Sequence, residues 1–187
     1  RPFFEGVTLV KDASLLRRLT LSMVGRLPSE IEKQTIEEKG LDALDEVLDQ
    51  IMKEEAFYVR LKEGFNDIFL TEGYEGNGEL ILSYNHFEKS RLWYQKYNLD
   101  HIVDEKERKE TLYSITRNYR KAIREEPLEL VAYVVRNNKP FTEILTADYI
   151  MVSPYSARGY GIFEQIKNRF KDPEDPFEYV PAQLPAL

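Results

Sequence analysis

Apolar residues recur at three- and four-residue steps along most of the chain, the period of a helix with one buried face. Leu15, Leu16, Leu19 and Met23 form the first stripe, with Asp12 or Ser14 placed to cap it and Gly25 to end it in a left-handed turn. After Pro28, the run Ser29-Glu30-Ile31-Glu32 has the S-x-x-E form in which hydroxyl and carboxylate satisfy each other's free amides, so a second short helix starts there and closes at Gly40. Leu41, Leu44, Leu48 and Ile51 make a third stripe. Phe57, Leu61, Phe65 and Ile68, with Phe69 beside them, mark a longer fourth helix, and the short polar link between the two predicts an antiparallel or steeply crossed pair.

The period breaks over 71–87, where Gly73, Gly76 and Gly78 surround Tyr74 and Asn77 and where Leu80-Ile81-Leu82 reads as a short strand or a buried turn. It returns weakly over 90–95, then strongly from Asp104, with Leu112, Ile115, Tyr119 and Ile123 on one face. Pro127 suits the first turn of a further helix, whose buried side is Leu128, Val131, Ala132 and Val135. Phe141, Ile144 and Leu145 predict a short helix after Pro140. Ser153-Pro154 gives another cap-plus-proline start, and Gly159 and Gly161 interrupt before Phe163. The segment 172–187 is too rich in proline for a helix and reads as an extended arm, its apolar Leu184 and Leu187 suggesting a chain cut before its partner segment. The expectation is an all-α, irregular bundle of about seven to nine helices with little or no sheet, one long loop over 71–87, a single domain over 1–171 and an arm over 172–187.

Composition narrows the function more than the fold. The 187 residues carry 26 Lys+Arg against 33 Asp+Glu, a net charge of −7, and this acidity argues against docking on nucleic acid or anionic lipid. With no cysteine, the chain has no disulfide, no thiolate metal site, no Cys nucleophile and no covalent haem attachment. The longest apolar stretches, such as Leu130 to Val135, fall far short of the ~20 residues of a membrane span. The chain opens at Arg1 with no basic-then-apolar leader, so any targeting signal is expected to be removed or to lie outside it.

Candidate chemistry is sparse. His86 and His101 are the only imidazoles; as a metal or haem pair they would need Glu88, Asp100 or Asp104 as further ligands, and at this spacing ordinary surface positions are the competing reading. Asp67, Glu72 and Glu75 beside the glycine-rich loop are the nearest thing to an acid/base pair, set against solvated helix faces. Tyr74, Tyr84, Phe87, Trp93, Tyr94 and Tyr97 gather around the irregular segment, either as a rim that stacks on a sugar or buries against a partner, or as plugs of the core. Arg17 or Arg18 is expected half-buried on a carboxylate, and Arg158 paired with Asp148 to lock two helices, with ligand binding as the alternative in both cases.

Two stretches resemble one family. Leu15-Leu16-Arg17-Arg18-Leu19 through Gly25-Arg26-Leu27-Pro28-Ser29 looks like the LRRL…GRLP[ST] signature of helical domains that accompany planctomycete-type cytochrome c domains in exported bacterial proteins, and 41–58 resembles its continuation. Pro140-Phe141-Thr142-Glu143-Ile144-Leu145-Thr146-Ala147-Asp148-Tyr149, with Pro154, Ala157-Arg158 and Tyr160-Gly161, is similar to that family's PFTE[IL]LTADY…ARxYG segment. The resemblance implies an exported, extracytoplasmic and often multidomain setting, sometimes linked to a haem-carrying domain; with C-x-x-C-H absent here, any haem would sit on a neighbouring domain or chain. The expected role is a structural or protein-interaction module of an envelope assembly, binding other chains through the aromatic segment, Leu184 and Leu187. The alternative is a carbohydrate-binding or hydrolytic domain working at the loop.

Overall fold

A computed structural model describes residues 10–71, 73, 78–80, 82 and 84–184, with the side chains of 78 and 84 excepted. The fold is all-α with one small sheet. Contacts cluster into two compact units, Arg1–Gly64 and Phe65–Leu187, where the spacing of apolar residues alone suggested one domain over 1–171.

In the first unit α1 (Asp12–Val24) buries Leu16, Thr20 and Val24. Lys11, not Asp12 or Ser14, occupies its N-cap position, and no side chain caps it. Gly25, at φ 69°, turns the chain left-handed and donates its N–H to the Leu21 carbonyl; a side chain is disfavoured there by the positive φ. α2 (Glu30–Lys39) starts with both halves of the Ser29–Glu32 capping box formed and ends at Gly40. After a 3-10 turn, α3 (Leu44–Ile51) buries Val47 and Ile51. These join Leu16, Val24, Ile36 and Ala43 in one core, while Leu41 remains exposed. α4 (Glu55–Phe69) crosses the boundary between the units; its buried residue is Tyr58, and Ile68 of the expected stripe is 69% exposed.

The second unit is organised on α6 (Glu105–Arg136), 32 residues and so about 48 Å long. Asp104 caps it, its carboxylate accepting the Glu107 N–H at 2.8 Å. The helix continues through Pro127, which was expected to start a new one. Proline forfeits one i to i−4 bond, but Ile123, Glu126, Leu128 and Val131 are all buried on either side of it, and that packing holds the helix together. Ahead of α6, α5 (Tyr84–Phe87) and a 3-10 turn at Trp93–Lys96 bring in Phe87 and Tyr94; Gly78–Leu80 is a 3-10 turn and Leu82 is buried, so Glu79 and Leu82 are placed by turns and not by a strand. After α6 come α7 (Glu143–Thr146), the strand β1 (Ile150–Val152), α8 (Pro154–Gly159) and α9 (Phe163–Ile166). Ser153 caps α8 and Pro154 opens it, as the sequence indicates. Gly159 permits a close crossing, since a Cβ there would fall 2.1 Å from the Tyr119 hydroxyl.

The arm is extended but not free. Its residues Val180–Ala182 form β2, which pairs antiparallel with β1 in the register Ile150 to Ala182 and Val152 to Val180. Ala182 is buried and Leu184 packs against two clusters of the core, so 172–184 finish the second unit.

Candidate functional site

The described aromatics of this segment, Phe87, Trp93, Tyr94 and Tyr97, lie in the second unit and pack inward. Trp93 meets Tyr155, Tyr119 and Tyr97 edge-on at 5.2, 5.5 and 5.7 Å between ring centres, and Tyr94 tilts against Tyr119 at 5.9 Å. Phe87 and Tyr94 are buried, while Trp93 and Tyr97 are half-buried against them. Edge-to-face contacts at these distances are the favoured geometry of aromatic pairs in a core. Of the expected interface residues, Phe87, Trp93, Tyr94, Tyr97 and Leu184 therefore serve the chain's own packing; Tyr74, the Tyr84 side chain and Leu187 lie outside the described residues.

Two ion pairs fasten this cluster. Glu79, almost fully buried, receives the Arg120 guanidinium at 2.7 and 2.9 Å and the Tyr94 hydroxyl at 3.1 Å. Burial opposes the charge on Glu79, but the bonds from Arg120 outweigh it and hold the carboxyl below the usual range. Arg158 donates to Glu174 at 2.8 Å, and Tyr97 donates to the other oxygen of the same carboxylate at 2.8 Å. The guanidinium also bonds the Pro154 and Pro173 carbonyls and lies 3.9 Å from the centre of the Phe163 ring. This corrects the expected Arg158–Asp148 pair: Asp148 instead accepts from Gln183 at 2.9 Å.

The other expected pair is corrected as well. Arg17 and Arg18 are exposed on α1, outside its buried face. The arginine that binds carboxylates in the first unit is Arg26, one residue past the left-handed Gly25. It donates to both oxygens of Glu32, at 2.6 and 2.9 Å, and to Glu54. Glu32 accepts from the Ser29 amide at 2.7 Å too, and the bonds from Arg26 pull its carboxyl down to about 2 against the cost of burial. The GRLPS signature is thus a folding device: glycine for the turn, arginine for the clamp, serine for the cap.

One polar group stands apart from these. Glu126 sits on α6 three residues after Ile123, is 7% exposed and accepts the Tyr160 hydroxyl at 2.7 Å through Oε2. Its Oε1 has no partner of hydrogen-bond geometry among the described residues. Burial pushes this carboxyl up to about 8, opposed only by Ser156 and Tyr160, so near neutral pH it is largely protonated. Burial and the adjacent carboxyl hold the Tyr160 phenol far above its ordinary value. Glu126 and Tyr160 line a cavity of about 400 Å³ with Phe69, Leu70, Ile123 and Pro127. The sequence signal was an acid in register with the stripe of Leu112, Ile115, Tyr119 and Ile123.

The remaining candidates do not converge. Asp67 is exposed on α4, and Glu72 and Glu75 lie outside the described residues. His86 and His101 are both exposed, and His86 packs edge-on against Phe87. Among the described residues no group of three or more Asp, Glu or His is placed to hold a metal ion, and no helix is long and apolar enough to cross a membrane.

Residues 84–162, from α5 through α8, match a family model described as PSD4, a protein of unknown function (DUF1592). The match is to an uncharacterised family. It spans less than half of the chain, includes the PFTEILTADY segment and excludes the GRLPS segment, and it carries no link to cytochrome domains. No curated protein and no solved structure matches the chain.

Proposed function

We propose that this chain is a structural and protein-interaction module of an exported bacterial envelope assembly, working in the periplasm or cell envelope beside a cytochrome-bearing domain or chain. The observation that carries the interaction reading is an apolar band in the second unit. Phe65 touches Phe69 and Phe141 at 5.7 and 6.0 Å between rings, and around them Ile68, Leu70 and Phe141 are 69%, 67% and 61% exposed. Contiguous exposed apolar surface of this kind favours a protein partner. Tyr94 and Tyr97 of the aromatic segment are engaged within the chain by Glu79 and Glu174, which in turn receive Arg120 and Arg158, and this leaves the apolar band as the surface open to a partner. The exported setting and the haem-bearing neighbour rest on the family resemblance of the two sequence motifs.

Affinity purification of the native protein from envelope fractions, followed by gel filtration and a visible spectrum, tests this. The expected result is elution with stable partner chains and a haem absorption band. Partner chains without that band would remove the cytochrome from the proposal, and a lone colourless monomer would contradict it altogether.

A further inference from the structure

We infer that the open cavity between the C-terminal end of α6 and the β1–β2 sheet is a binding site for an acidic sugar, a small hydroxylated molecule that carries one carboxylate. Separate stretches of the second unit meet there: Tyr133 from the last turn of α6, Lys139 from the turn after it, Tyr149 from just before β1, Arg169 from the 3-10 turn Lys167–Arg169, and Gln183 from the end of the arm. They enclose about 510 Å³, within the range of small-ligand sites. Although the chain carries a net charge of −7, the residues lining this cavity include two cations and no carboxylate.

The head of the ligand follows from Arg169. Its Nη2 donates to the Pro181 carbonyl at 2.6 Å, which anchors the guanidinium to the arm, and among the described residues no carboxylate pairs with it. The rest of its N–H fork is left for a carboxylate, the planar acceptor that it matches in geometry. Lys139 adds less charge, because it is already paired with Glu143 at 3.0 Å. Its ammonium is held 5.9 and 5.2 Å from the centres of the Tyr133 and Tyr149 rings. Two acids close to the cavity do not line it and are engaged: Glu143 by Lys139 and by the Tyr149 hydroxyl at 2.6 Å, Asp148 by Gln183 Nε2 at 2.9 Å. The balance leaves room for one negative charge, opposite Arg169.

The body follows from the remaining walls. Tyr133 and Tyr149 are half-buried and meet edge-on at 5.9 Å, and Pro181 and Ala182 are the only wholly apolar residues in the lining. Gln183 keeps its amide oxygen to accept a hydrogen bond, and the Tyr133 phenol can donate or accept one. Aromatic walls with polar tips beside an amide suit a ring that bears hydroxyls better than a purely hydrocarbon one. None of these residues belongs to the apolar band around Phe65, so this site and the partner surface stand or fall separately.

The test uses the whole chain, isotope-labelled, with amide shifts followed by NMR at pH 7 as glucuronate, glucose, glucosamine and cyclohexanecarboxylate are titrated separately. Glucuronate is expected to shift the amides of Tyr149, Arg169, Ala182 and Gln183, and to bind about ten-fold or more tighter than glucose, which has the same ring and no carboxylate. Cyclohexanecarboxylate, with the head and no hydroxyls, and glucosamine, with a cationic group, should both bind more weakly than glucuronate. Arg169→Gln should bring glucuronate down to the affinity of glucose while the far-ultraviolet spectrum stays unchanged. Gln183→Glu, which puts an acid into the wall at an exposed position, should weaken glucuronate with helical content intact, and it decides the matter if the Arg169 variant fails to fold. Absence of shifts at these residues with every probe, binding of glucose, glucosamine or cyclohexanecarboxylate as tight as that of glucuronate, or a folded Arg169 variant that binds glucuronate as the parent does would overturn the inference.

Discussion

At Arg26 one guanidinium serves two carboxylates, and its removal leaves Glu32, a 10% exposed side chain, as a buried charge with the Ser29 amide as its remaining strong partner. Arg26→Ala should therefore cost about 2–4 kcal/mol in a denaturant titration at pH 7. The Glu32 carboxyl is held near 2 when folded and near 4.5 when unfolded, so its contribution is complete above pH 4.5 and is lost as pH falls through about 2. Arg26→Ala should flatten that acid limb. Glu126 runs the other way. Its folded value near 8 lies above the unfolded 4.5, so stability present below pH 4.5 falls as pH rises toward 8, and Glu126→Gln should remove this decline. At pH 8.5 the Gln variant is expected to be more stable than the parent by up to about 4 kcal/mol, and to match it near pH 5. Equal stability at both pH values would contradict the assignment of a buried acid. The sequence marked arginines as ion-pair partners without telling which: Arg17 and Arg18 are distinguished from Arg26 and Arg120 only by what the folded chain brings against them.

Among the elements, the helices were legible because a 3.6-residue period and caps such as Ser29 and Ser153 are local signals. Pro127 misled for the same reason: as a local signal it marks a helix start, whereas the tertiary burial of Glu126 and Leu128 carries α6 through it. The β1–β2 pair was not legible either, since two three-residue strands thirty residues apart have no period long enough to recognise and exist only through their pairing. The arm between α9 and β2 is fastened by Arg158, whose pair with Glu174 and contact with the Phe163 ring tie it to α8 and α9. Arg158→Ala should remove both, costing about 2 kcal/mol and lowering the Tm by about 5–10 °C in a calorimetric scan. Arg17→Ala and Arg18→Ala, at exposed positions, should stay within about 0.5 kcal/mol of the parent. A Tm unchanged by Arg158→Ala would mean that β1 and the core contacts of Leu184 hold the arm alone.

For the whole molecule, an acidic all-α chain has turned the aromatic cluster around Trp93, Tyr119 and Tyr155 inward and left apolar surface where α4 ends and the PFTEILTADY segment begins. That placement was hidden in the sequence: Phe65, Ile68 and Phe69 follow the spacing of a buried stripe, and only tertiary structure shows that Ile68 stays outside while Phe65 reaches Phe141. The central claim is that this band, and not the aromatic cluster, meets other chains. The most direct measurement compares the native elution size of the parent protein with that of the double variant Ile68→Asp and Phe141→Asp, both expressed in the source cell and extracted from the envelope. The account predicts that the parent elutes in a complex and that the double variant, with unchanged helical content, elutes as a monomer. A complex of the same size from both proteins would contradict it.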